Sequence, residues 1–235
     1  MQEHALNSQQ KDHANENTPK DLMVWFIRHG ESEAHIGKAA THTEEVRLTK
    51  AGKQQGEEIA SILPRAPNLV ISSPYLRAWE TAAPTFQRFP NVPHKIWPVQ
   101  EFTYLGSLAG ICSTKHERRA QVEEYWQRGD PTYRDGNGES FAQFLQRVRT
   151  TIDNLKHMDG FVTIFTHEQF IRAAQGLLHG WLEDNPAHMA RFRQLLVDAP
   201  LPYGYTLHLP VCSGQERFWQ IEHIPRSTLT APTRR

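Results

Sequence analysis

Two short apolar runs in this chain end in the same chemistry. Trp25-Phe26-Ile27 leads into Arg28-His29-Gly30-Glu31, and Thr163-Ile164-Phe165 leads into Thr166-His167-Glu168. If both runs are strands of one open α/β sheet, their carboxyl ends bring two histidines and an arginine to the crevice where such sheets bind ligands. A third run, residues 69–71, leads into Ser72-Ser73-Pro74. Ser73 as N-cap and Pro74 as first helical residue predict a helix from 74 towards 86, with free N–H groups at its start and Arg77 in its first turns.

A planar guanidinium donates two parallel charge-assisted bonds to a phosphate, so Arg28 and Arg77 together suit a phosphomonoester dianion. His29 is then a candidate nucleophile, because a neutral imidazole nitrogen attacks phosphorus when its other nitrogen donates to a fixed acceptor. His167 would stabilise charge on the transferring oxygens. One histidine among 13 carries little weight. The weight comes from three separate segments that bring matching residue types to corresponding strand ends. Apart from His35, the remaining histidines are read as structural or solvated.

The elements that must position these residues follow from periodicity. Short apolar runs alternate with longer amphipathic stretches, which predicts helices covering a largely parallel sheet. Strands are expected over 22–27, 69–71, 94–99 and 161–165, with a closing hairpin from 203–209 and 217–224 that turns at Ser213-Gly214. Helices are expected over 49–63, capped by Thr49 and stopped by Pro64, and over 74–86, 115–128, 140–158 and 168–178. Residues 101–110 read as a loop.

Composition narrows the class. With 38% hydrophobic residues and a mean hydropathy of -0.61, the chain reads as one globular domain over 21–225. Residues 1–20 and 226–235 are too polar to order themselves and are read as a disordered N-terminal and a flexible C-terminal tail. Lys+Arg and Asp+Glu both count 26, which leaves no global field for nucleic acid or an anionic membrane. Any anion site must be local. Two isolated cysteines, Cys112 and Cys212, and the lack of an apolar leader or spanning run make a cytoplasmic protein the expectation.

Taken together, the motifs resemble the histidine phosphatase superfamily, also called phosphoglycerate mutase-like. Phe26-Ile27-Arg28-His29-Gly30-Glu31-Ser32 is similar to its nucleophile motif, and Leu48-Thr49 with Gly52 and Gln55 to the helix that follows. Ser72-Ser73-Pro74 with Arg77-Ala78 and Thr81-Ala82 is similar to the segment of the second arginine. Gly138-Glu139-Ser140-Phe141 with Arg147, and then Phe165-Thr166-His167, complete the order from about 24 to 174. The resemblance implies a three-layer α/β/α sandwich, a phosphohistidine on His29, phosphate contacts from Arg28, Arg77 and His167, and no metal or organic cofactor. It implies a small phosphorylated substrate or inorganic phosphate as partner, and leaves the oligomeric state open.

The departures bear on substrate. His35 stands where many members have asparagine, and Glu168 where most have glycine; with Ser32, these two are the expected substrate contacts. Two carboxylates compete as general acid: Glu101, which resembles the family's acid, and Glu168, which resembles the donor of the acid-phosphatase branch. Glu101 is favoured, because Glu168 begins a helix whose dipole keeps it ionised. The expected activity is hydrolysis of a small phosphorylated metabolite. Phosphoglycerate mutase-type transfer, a phosphoprotein phosphatase and a regulatory phospho-binding module are the alternatives.

Overall fold

A sheet whose strands carry large apolar side chains on both faces must be covered on both faces. In the computed structural model, which describes residues 22–204, 206–211 and 222–223, the first strand β1 (Leu22–Arg28) does this strictly. Val24 and Phe26 pack into one core, Trp25 and Ile27 into the other. The strand β4 (Gly160–Thr166) repeats the pattern, with Val162 and Ile164 on the first side and Phe161 and Phe165 on the second.

With β2 (Leu69–Ser72), β3 (His94–Ile96), β5 (Thr206–Val211) and β6 (Glu222–His223), the sheet runs β3-β2-β4-β1-β5-β6. The first four are mutually parallel, β5 is antiparallel to β1, and β6 to β5. Helices α1 (Lys50–Ile62) and α2 (Leu76–Arg88) cover one face through Ile59 and Ala82. The other face is covered by α3 (Arg119–Arg128), α4 (Phe141–Leu155), α5 (Glu168–Leu178) and α6 (Pro186–Asp198). The expected three-layer α/β/α sandwich is therefore the fold.

Local chemistry explains most boundaries. Thr49 caps α1 by accepting from Gly52 N at 3.0 Å, and Ser140 and Gln143 form a capping box on α4. Several boundaries differ from expectation: α4 ends at Leu155 rather than 158, and the strand expected from 203 begins at Thr206. Ser73 does not cap a helix from Pro74; α2 starts at Leu76, because the Ser73 hydroxyl is taken by Tyr75 N and by His167. The strand expected over 94–99 stops at Ile96, where Pro98 cannot donate to a ladder. The helix expected from 115 begins only at Arg119, since Thr114 and Glu117 close a turn through their side chains.

The helix α6 adds an element to those read from the sequence, begun by Asn185 accepting from His188 N at 2.9 Å and by Pro186 in its first turn. The expected tails, Cys212 and the turn at Ser213-Gly214 lie outside the described residues. Among the described residues no helix is long and apolar enough to cross a membrane.

Candidate active site

The parallel pairing of β1 with β4 sets Arg28 beside Thr166, so His29 and His167 leave the sheet side by side. His29 N donates to Thr166 O at 2.9 Å, and the two imidazole centroids stand 5.0 Å apart, edge to face. The turn after β1 has no room for side chains: a Cβ on Gly30 would collide with the Gly52 carbonyl in α1, and one on Gly52 with the Glu31 carbonyl. Thr81 on α2 and Gln55 on α1 accept from Gly30 N and Glu31 N, which completes the clamp.

His29 Nδ1 lies 2.7 Å from the Gly30 carbonyl and donates to it, which leaves the lone pair on Nε2. Arg77 Nε donates to that atom at 3.2 Å, Arg77 Nη2 lies 3.2 Å from His167 Nδ1, and Arg77 Nη1 donates to Thr43 O at 2.6 Å. On its other side His167 Nε2 meets the Ser73 hydroxyl at 2.9 Å. Burial first, and then the Arg77 guanidinium, holds both histidines well below the ordinary imidazole range. Both rings are therefore neutral near pH 7.

Arg28 sits under the same turn but is held differently. Its Nη2 makes an ion pair with Glu168 Oε2 at 2.9 Å, its Nη1 donates to the Leu201 carbonyl, and the Tyr203 ring lies 4.7 Å from its guanidinium carbon. Glu101 lines the same pocket, in the loop after β3. Gln169 N donates to its Oε1 at 3.0 Å, and loss of water around it pushes its carboxyl up in spite of Arg77 and Arg28. The loop is fixed from behind by Arg147, which donates to the Pro98 and Gln100 carbonyls at 2.8 and 3.0 Å while paired with Glu139.

Ser32 and His35 complete the floor. The Ser32 hydroxyl lies 2.7 Å from His35 Nδ1, and the His35 ring stands 5.6 Å from that of His29 and 4.8 Å from that of Tyr203. Burial, with Lys115 and both arginines nearby, lowers the His35 pKa to about 3. All eight residues singled out in the sequence thus meet in one region: seven line a cavity of about 780 Å³, and His167 stands behind Arg77.

Tyr75, Thr43, Lys115 and Tyr203 also belong to it and carry no motif of their own. Tyr75 packs its ring against both Arg77 and His167, and its place directly after Ser73-Pro74 is the one signal that pointed there. Among the described residues no three His, Cys, Asp or Glu side chains gather as metal ligands.

A family model, that of the histidine phosphatase superfamily (branch 1), matches residues 24–198 and so spans every one of these elements up to α6. The chain belongs to the histidine phosphatase superfamily. It is 30% identical over 144 residues to the adenosylcobalamin/alpha-ribazole phosphatase of Salmonella typhimurium, which covers 57% of this chain and 67% of that one. The corresponding Escherichia coli protein is 29% identical over 154 residues, 61% of this chain and 71% of that one.

Among solved structures, the alpha-ribazole phosphatase from Shigella flexneri superimposes with a TM-score of 0.66 at 19% identity, covering 90% of this chain and 100% of that one. A mycobacterial glucosyl-3-phosphoglycerate phosphatase complexed with VO3 gives 0.64 at 22%, covering 87% and 98%. These likenesses show the fold. The family and its phosphatase relatives place this histidine phosphatase among enzymes that hydrolyse phosphomonoesters.

Proposed function

We propose that hydrolysis runs in two steps through a phosphohistidine on His29. The His29 Nε2 lone pair attacks phosphorus; the P–O bond to the leaving alkoxide breaks, and the carboxyl proton of Glu101 passes to that oxygen. Water then attacks the phosphohistidine, Glu101 takes its proton, and the P–N bond breaks to release phosphate. Arg28, Arg77 and His167 balance the charge on the three equatorial oxygens.

One observation carries the reading: the Gly30 carbonyl holds the Nδ1 proton of a neutral, buried His29 and thereby points the lone pair of Nε2 at the donor Nε of Arg77. That is the posture of a nucleophile whose target is a ligand of Arg77. Glu168 is ion-paired to Arg28 and accepts from Leu201 N at 2.7 Å, so its two oxygens are both engaged away from the leaving group. Glu101, with its pKa raised, is the acid.

The cavity suggests the substrate class. Its volume exceeds what a three-carbon phosphoester fills, and Phe102, Tyr104, Leu105, Leu108, Val122 and Leu196 give it an apolar wall. A small phosphorylated metabolite with an apolar or aromatic body fits this wall, in keeping with the alpha-ribazole named for the enteric relatives. A cytoplasmic location belongs to the same reading, since a charged phosphoester does not cross a bilayer unaided.

The test is trapping. Denaturing quench during turnover of a 32P-labelled ester leaves acid-labile, base-stable label on wild-type protein and none on His29→Ala. Label that persists in the variant refutes the assignment.

A further inference from the structure

The two guanidinium groups of the site are not equivalent. Arg77 donates to His29, to His167 and to the Thr43 carbonyl, all neutral acceptors, and among the described residues it has no ion pair. Arg28 is neutralised. Its Nη2 meets Glu168 Oε2 at 2.9 Å, its Nη1 meets the Leu201 carbonyl, and Leu201 N returns to Glu168 Oε1 at 2.7 Å, so three residues close a ring around one edge of the guanidinium. The Tyr203 ring lies against its face.

The third nitrogen of Arg28, Nε, is buried and meets no acceptor. A buried N–H without an acceptor is unfavourable, and a bound anion relieves it.

We propose that Glu168 is a positioning residue for phosphoryl binding: with Leu201 it occupies the Nη edge of Arg28, leaves Nε–H to the phosphoryl oxygen, and cancels one of the site's two guanidinium charges. This rests on the reading of His29 as the nucleophile of this pocket. Two uncompensated arginines would hold a phosphate dianion tightly and slow its release. One compensated arginine supplies direction with less net attraction, so inorganic phosphate leaves more readily.

The proposal predicts opposite signs for two variants, read as the competitive inhibition constant of inorganic phosphate on the full chain, beside the melting temperature. Glu168→Gln restores the full charge of Arg28, and phosphate inhibits about 10-fold more tightly, even if the lost ring lowers the melting temperature. A role confined to holding the chain together would instead weaken phosphate and lower the melting temperature in parallel. Arg28→Lys keeps a cation for Glu168 but has no Nε–H; phosphate inhibits about 10-fold more weakly at a nearly unchanged melting temperature.

Unchanged or weaker phosphate inhibition in Glu168→Gln overturns the proposal, and so does wild-type inhibition in Arg28→Lys. If Glu168→Gln does not fold, Glu168→Asp takes its place: the shortened carboxylate no longer spans Arg28 and Leu201 N, and unchanged or weaker phosphate inhibition there overturns the proposal. Failure of the underlying reading looks different: wild-type protein would then carry no label on His29, or phosphate would not compete with the substrate at all.

Discussion

Arg77 Nε stands 3.2 Å from His29 Nε2, and Arg77 Nη2 stands 3.2 Å from His167 Nδ1, so one guanidinium bridges the two histidines of the site. Its planar fork spans two acceptors at fixed separation; a lysine ammonium is a single point on a flexible stem. Arg77→Lys is expected to lose about 100-fold in kcat/KM, as for the removal of one preorganised charge-stabilising donor. Arg77→Ala is expected to lose more. Steady-state kinetics on one ester checks both, and full rescue by lysine would take Arg77 out of the phosphoryl site.

His29→Ala removes the attacking atom but no strand-core side chain, since His29 lies just past the end of β1. Turnover is expected to fall by roughly 10⁴-fold or more, as for the loss of other nucleophiles. The far-ultraviolet circular dichroism spectrum is expected to match wild type. Activity within a few-fold of wild type would refute the covalent route.

Glu101→Gln separates acid catalysis from binding. Proton donation matters for a poor leaving group, so an alkyl phosphate is expected to slow by roughly 10²- to 10⁴-fold and a nitrophenyl phosphate far less. Burial raises the Glu101 pKa, so its donor form is present below that pKa and is lost as pH rises through it. In Glu101→Gln this alkaline limb for alkyl esters is expected to vanish. The same leaving-group dependence in Glu168→Gln, with none in Glu101→Gln, would reassign the acid.

Acid sensitivity of the fold follows from His35. Its ordinary value is 6.5 and its folded value about 3, so the folded protein binds fewer protons than the unfolded chain between these limits. A histidine held neutral contributes stability that is complete above pH 6.5 and is lost as pH falls towards 3. His29 and His167 act in the same direction. Melting temperature is expected to fall over this window, and less steeply in His35→Asn, which can still meet the Ser32 hydroxyl without titrating. Equal slopes for the two proteins would remove His35 from the linkage.

What was legible in the sequence was whatever depends on near neighbours. Near-continuous apolar runs at 24–27 and 161–165 announce strands covered on both faces, Thr49 and Ser140 announce helix starts, and the residue after each strand states the chemistry carried there. Parallel pairing of those strands then brings His29 and His167 together, because a shared sheet direction places all carboxyl ends on one side.

Tertiary structure decided the rest. The Ser73 hydroxyl looks like a cap in sequence and serves His167 instead, 94 positions away, because the buried imidazole lies against it while the helix starts three residues later. Glu168 looks like a helix-start carboxylate, and its partner Arg28 is chosen by the strand register. Leu201, in no expected element, and Tyr203, read as the start of the closing strand, reach Arg28 only because the chain returns to β1 after α6. Propensity and spacing act over a few residues, whereas a charge deep in a pocket takes as partner whatever group the packed fold brings within about 3 Å.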